Sequence, residues 1–134
     1  MKIGLALMAA LLVAMCGWSA EKTSTPATPV KRIGLEEFDT LRATSTNIVI
    51  LDVRSAAEFA KGRIAGATNI DISSFRFEEK VGVLDKTKTY VVTCAVGMRS
   101  ARASKKMESL GFKRLYDLAP GFDGWKKAGR PFEK

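Results

Sequence analysis

Apolar and polar positions along this chain switch between a helical and an extended period. In "GLEEFDTLRA", Leu35, Phe38 and Leu41 recur every third residue among charged neighbours, which predicts a short amphipathic helix. "NIVILDV" runs almost without interruption through β-branched and aliphatic residues, the pattern of a strand covered on both faces. "SAAEFAKG" returns to helical character and is closed by Gly62. "GATNIDI" predicts a short strand, "SSFRFEEKVGVL" follows no clear period, and "TYVVT" is a second buried strand. In "RSARASKKMESLG", Ala103, Met107 and Leu110 fall at helical spacing, and Gly111 supplies the stop. "FKRLYDL" is a third strand and "FDGWKKAG" a last short helix. This alternation predicts an α/β domain with a mostly parallel central sheet and helices on both faces.

The first 20 residues stand apart. After Lys2 they are uncharged and mainly apolar from Ile3 to Trp18, the length of a signal-peptide hydrophobic region with its cleavage region. The expectation is an exported protein, periplasmic or anchored in a membrane and facing the periplasm. Val13-Ala14-Met15-Cys16 resembles a lipoprotein box with acylation at Cys16, although Met15 is larger than the usual residue there, while Gly17-Trp18-Ser19 offers an ordinary cleavage after Ser19. Residues 21–30 are rich in Thr and Pro and read as an extended tether. Residues 31–134 form the predicted domain.

With 134 residues, 46% of them hydrophobic and 27% charged, the chain suits one globular core. Its formal net charge is +8, of which +7 lies beyond residue 20. The Lys and Arg are interleaved with acids, so no nucleic-acid-binding block is expected, and the Lys105-Lys106 pair reads as solvated. Histidine is absent, which excludes Cys-His and Ser-His pairs and removes zinc's commonest nitrogen ligand. Neither a metal nor an organic cofactor is expected.

Cys94 is the one cysteine of the domain, so a resolving intramolecular disulfide is excluded there. It follows "TYVVT" directly and precedes a helix beginning near Arg99 or Ser100, the place where ligands collect in parallel sheets. Between them, Ala95, Val96, Gly97 and Met98 include two small residues that let the backbone curl with its N–H groups inward. Such a curl, the helix behind it and the charge of Arg99 would all lower the pKa of a central thiol. The alternative is a buried strand-end cysteine with no chemistry.

"CAVGMRS" resembles the active-site loop of single-domain rhodaneses, whose pattern is approximately Cys-x-x-Gly-x-Arg-Ser. "ILDVRSAAEFAKGRIAGATNI" and "LAPGFDGWKKAGRP" are similar to the upstream and terminal signatures of that family, in the same order. Arg63 stands where many members have His, and Pro120 replaces the first glycine of the terminal pair. Read from the sequence, neither touches the loop.

The resemblance implies a sulfurtransferase in which Cys94 takes a sulfane sulfur from a small anionic donor, thiosulfate or a persulfide, and passes it to a thiol or cyanide. Residues 95–100, through Ser100, would form the substrate loop, with Arg99 orienting the donor. Asp52, Arg54, Glu58 and Arg63 would support the site structurally, and Phe59 and Trp125 would belong to the core or a pocket wall. Two other classes compete. A non-enzymatic persulfide carrier or protein-binding module needs only the fold, and a cysteine phosphatase shares the thiolate loop. Phosphatases place five residues between Cys and Arg, whereas four separate Cys94 from Arg99. The two N-terminal routes and a third, an uncleaved anchor, are separable by membrane fractionation of the natural chain and a Cys16→Ala variant: an acylated anchor predicts release of the variant, cleavage after Ser19 a soluble protein in both, and an uncleaved anchor a membrane-bound protein in both.

Overall fold

A computed structural model describes residues 28–134, so the expectations for residues 1–20, Cys16 and most of the tether lie outside the described residues. Seven strands and five helices follow one another as β1 (Lys31–Ile33), α1 (Leu35–Thr44), β2 (Ile48–Asp52), α2 (Ala56–Lys61), β3 (Arg63–Ile64), β4 (Thr68–Asn69), α3 (Phe77–Gly82), β5 (Thr89–Thr93), α4 (Met98–Ser109), β6 (Leu115–Leu118), α5 (Gly121–Lys127) and β7 (Phe132–Glu133).

The main sheet has the order β1-β6-β5-β2-β4, and all of its pairings are parallel. Alternation along each strand divides the core in two. Leu51, Tyr90, Val92 and Leu115 face Phe77 and Val81 of α3 and Ala103 and Met107 of α4. Ile50, Val91 and Leu118 face Phe38 of α1 and Phe122 and Trp125 of α5. Helices therefore cover both faces, as the alternating pattern predicts. Phe38 and Trp125 meet edge to face at 5.7 Å.

Three features escape the sequence pattern. The irregular "SSFRFEEKVGVL" contains α3, which is too short for a period to register. β3 and β7 form a separate antiparallel ribbon, pairing Arg63 with Glu133 and Ile64 with Phe132. Lys106 is exposed, as expected, and its surface pairing with Glu78 of α3 at 2.8 Å is a contact the local pattern does not carry.

Topology places the functional edge. From β2 the chain crosses outward to β4, whereas from β5 it crosses the other way to β6, so a crevice opens between the carboxyl ends of β2 and β5. Asp52 ends β2 in this crevice region, and Cys94 follows β5.

The β2 end is fixed by a buried ion pair. Asp52 accepts from the Arg54 amide at 2.9 Å and from its guanidinium at 2.7–3.0 Å. The same guanidinium donates to the Gly62 carbonyl at 2.7 Å and lies over the Phe122 ring at 4.5 Å. Asn69 closes the turn by donating to the Asp52 and Arg54 carbonyls. Removing one partner would leave a buried charge without compensation. Arg54→Met is expected to lower stability by about 3 kcal/mol, read as a fall in the urea unfolding midpoint.

Candidate active site

The loop after β5 curls because one residue in it adopts a conformation open to glycine. Gly97 has φ +86°, and a Cβ there would overlap the Ala119 carbonyl oxygen and lie 2.9 Å from the Arg32 guanidinium. Its amide donates to Cys94 Sγ at 3.1 Å. α4 begins at Met98, one residue before the expected start, with no acidic residue in its first turn to neutralise its positive end.

Two amides from the opposite helix hold the outside of the curl. Phe122 N donates to the Cys94 carbonyl at 2.7 Å and Asp123 N to the Ala95 carbonyl at 3.0 Å. A Cβ on Gly121 would strike the same carbonyls. The residues on either side of Pro120 pack directly on the loop, a contact the sequence reading did not foresee: Ala119 abuts Gly97 and Gly121 abuts Ala95. With these carbonyls turned outward, the loop amides are free to face the sulfur.

Cys94 is 1% exposed, so burial alone does not separate a nucleophile from an inert core thiol. Its hydrogen bonds favour the ionised sulfur. Burial pushes the thiol pKa up, while the Ser100 hydroxyl and amide and the amides of Val96 and Gly97 pull it down, and the balance lies below the ordinary value. The described residues contain no group of three or more acids or cysteines placed to hold a metal ion.

Arg99, expected to orient the donor, is itself held by a carboxylate. Its guanidinium grips Glu58 through two bonds of 2.9 and 2.8 Å. Glu58 is itself built into the start of α2: its amide donates to Ser55 Oγ, and its carboxylate accepts from the Ser55 amide and hydroxyl. The Arg99 bond, with the Ser55 bonds behind it, drives the Glu58 carboxyl well below the usual range against a smaller effect of burial, and the pairing raises Arg99. Positive charge reaches Cys94 only after being shared with Glu58.

The remaining residues divide clearly. Asp52 and Arg54 hold the neighbouring strand end. Arg63 lies on the ribbon, 3.4 Å from Glu133 and over the Phe59 ring at 4.7 Å, away from the loop. Trp125 is buried, and half-buried Phe59 supports Arg63. Val96 and Met98 are 57% and 75% exposed on the rim of a cavity of about 580 Å³ that Arg32, Arg99 and Arg102 also line.

Residues 35–128 match the family model described as "Rhodanese-like domain". The chain belongs to that family. Among curated relatives, this rhodanese-like domain is 32% identical over 88 residues to the thiosulfate sulfurtransferase GlpE of Actinobacillus succinogenes, covering 65% of this chain and 77% of the relative. It is 30% identical over 105 residues to the putative sulfur carrier protein YrkF of Bacillus subtilis, covering 78% and 56%. It is 37% identical over 114 residues to a tRNA uridine(34) hydroxylase of Cytophaga hutchinsonii, covering 78% and 36%. The chain thus spans about half of one of these relatives and about a third of another. A crystal structure of a rhodanese-related protein from Thermoplasma volcanium superposes with a TM-score of 0.66 at 31% identity, over 77% of this chain and 97% of that one.

Sequence reasoning did not single out Asp117 or Arg32. Asp117 accepts from Ser100 Oγ at 2.6 Å and from Arg32 at 3.0 Å, with its side chain 3% exposed. The available signal was an acid set inside "LYDL", a strand otherwise reading as core. Gly97→Ala is expected to cost about 1–3 kcal/mol through backbone strain and overlap. It should also slow alkylation of Cys94 at neutral pH, checked by urea unfolding and by the rate with iodoacetamide.

Proposed function

We propose that this rhodanese-like domain is a sulfurtransferase that carries sulfane sulfur as a persulfide on Cys94. The observation that supports it most is the Cys94 sulfur held among inward-facing loop amides, with Gly97 N at 3.1 Å. The thiolate attacks the outer sulfur of thiosulfate, forming a new S–S bond as the donor's S–S bond breaks and sulfite leaves with its electron pair. Loop amides stabilise the resulting persulfide anion. A thiol or cyanide then takes the outer sulfur and returns Cys94 to thiolate.

The cycle uses no metal or organic cofactor. Because Glu58 shares the Arg99 charge, the amides and the α4 terminus carry most of the anion stabilisation. The small-anion donor is supported by the thiosulfate sulfurtransferases among its relatives. The apolar N-terminal stretch, outside the described residues, supports export to the periplasm with a membrane anchor or a cleaved leader as alternative endings. No helix among the described residues is long and apolar enough to cross a membrane.

A second reading, a sulfur carrier without turnover, is favoured by one relative's description and by the near-complete burial of Cys94. Incubation with thiosulfate should add one sulfur to Cys94 by intact mass, and subsequent cyanide should release thiocyanate over many cycles. An adduct without multiple turnover indicates the carrier, and no adduct with any sulfane donor overturns both. Phosphotyrosine peptide should not be hydrolysed; turnover abolished by Cys94→Ser would instead mark a phosphatase.

A further inference from the structure

Three polar side chains run in a line from the reactive sulfur to the surface. Cys94 Sγ lies 3.5 Å from Ser100 Oγ, Ser100 Oγ lies 2.6 Å from Asp117 Oδ1, and Asp117 Oδ2 lies 3.0 Å from the Arg32 guanidinium. Cys94, Ser100 and Asp117 are all buried, while the Arg32 side chain is half exposed. Arg32 also donates to the Gly97 carbonyl at 3.5 Å, so the same cation touches the loop.

A serine hydroxyl has one proton to give. In the short bond to Asp117 that proton points away from the sulfur, so Ser100 turns a lone pair toward Cys94, and the thiol donates to it. A lone pair favours S–H and withholds from S⁻ the donation by which the hydroxyl lowers the thiol's pKa, so Asp117 and the sulfur compete for one proton. The loop amides favour the opposite state.

We propose that Asp117 is a positioning residue for Cys94, deciding through the single hydroxyl proton of Ser100 whether the sulfur faces a donor or a lone pair. When the thiol ionises along this line, Cys94 Sγ gives its proton to Ser100 Oγ while Ser100 gives its own to Asp117 Oδ1. One S–H bond is replaced by an O–H bond on Asp117, Ser100 ends as it began, and the negative charge moves from carboxylate to sulfur. No other reactant is consumed. Ser100 then donates to the thiolate, and Asp117 and Cys94 share one negative charge instead of holding two.

The surroundings fit such sharing. The register partners of Asp117 are Arg32 on β1 and Val92 on β5, so one charged group faces it from the flanking strands. From α4 it is met by Ser100, and Ser104 one turn on is buried, unpaired and without a titrating proton in the relevant range. On the sulfur side, Arg99, already paired with Glu58, is close enough to feel the charge of Cys94. Burial pushes the Asp117 carboxyl above its usual range, with the Ser100 bond and Arg32 only partly opposing, so a proton can reside there.

This inference rests on Cys94 as the reacting group but is tested by its ionisation, not by sulfur transfer. The rate of iodoacetamide addition to the Cys94 peptide is followed against pH in the full chain. In Asp117→Asn, Arg32 holds the amide oxygen, the amide nitrogen donates to Ser100, and the serine proton turns to the sulfur. The midpoint should fall by about one pH unit, a tenfold gain in thiolate at a fixed pH well below the midpoint. In a Ser100→Ala background the same change should shift the midpoint by less than half as much. No fall, a rise, or an equal fall without the serine overturns the proposal, the last pointing to through-space charge alone.

Should Asp117→Asn fail to fold by circular dichroism, Asp117→Ser takes its place with the same two arms: a fall in the midpoint that the Ser100→Ala background removes supports the proposal, and no fall, a rise or an equal fall without the serine overturns it. Loss of thiocyanate formation with these shifts intact would refute the sulfurtransferase reading and leave the proton relation standing.

Discussion

The bond from the Gly97 amide to Cys94 Sγ requires a backbone turned through the left-handed region, and the surroundings leave no space for a side chain at the turn. Much else in the site follows from that curl. It directs amides inward and sets α4 so that its positive end lies behind the loop. It also brings Ala119 into contact with Gly97, so the strand–helix junction of β6 and α5 becomes a wall of the loop. The outward carbonyls, which would repel an anion, are taken up by the first amides of α5. A buried sulfur and a stabilised thiolate are reconciled by the same backbone geometry.

Charge is distributed more sparingly than the basic composition suggests. Arg99 belongs to a carboxylate that also caps α2, Arg54 to Asp52, and Arg32 to Asp117. These arginines are thus structural clamps: Arg99 and Arg32 link elements distant in the chain, and Arg54 fixes the turn at the end of its own strand. Pairing leaves partial charges on N–H groups as the loop's main means of attracting an anion. Exposed Val96 and Met98 add apolar surface at the rim.

The parallel sheet was legible because two strands, "IVILD" and "TYVVT", are apolar runs that only burial on both faces explains, and because α4 shows Ala103 and Met107 at helical spacing. α3 was not legible, since six residues barely exceed one turn and a half and its buried Phe77 and Val81 are a single pair. The ribbon of β3 and β7 joins residues 63–64 to 132–133, a pairing made by contact across the fold with no local signal. Cys94 and its loop were legible from the Gly and Arg spacing. The partner of Arg99 was not, because Glu58 lies 41 residues away and its place follows from how α2 meets α4.

By itself, then, the sequence determined the alternation of elements and the lack of imidazole, and hence that any activation of Cys94 comes from backbone amides, a helix start or a nearby cation. These are properties of composition and local period, which folding does not alter. Tertiary structure alone decided that the glycine turn is locked by Ala119, that Arg99 is held by Glu58, and that Asp117 stands behind Ser100. Each of those contacts joins segments from different strands or helices. A proton or a charge is assigned by the nearest donor and acceptor in space, and that neighbourhood exists only once the sheet has set its register.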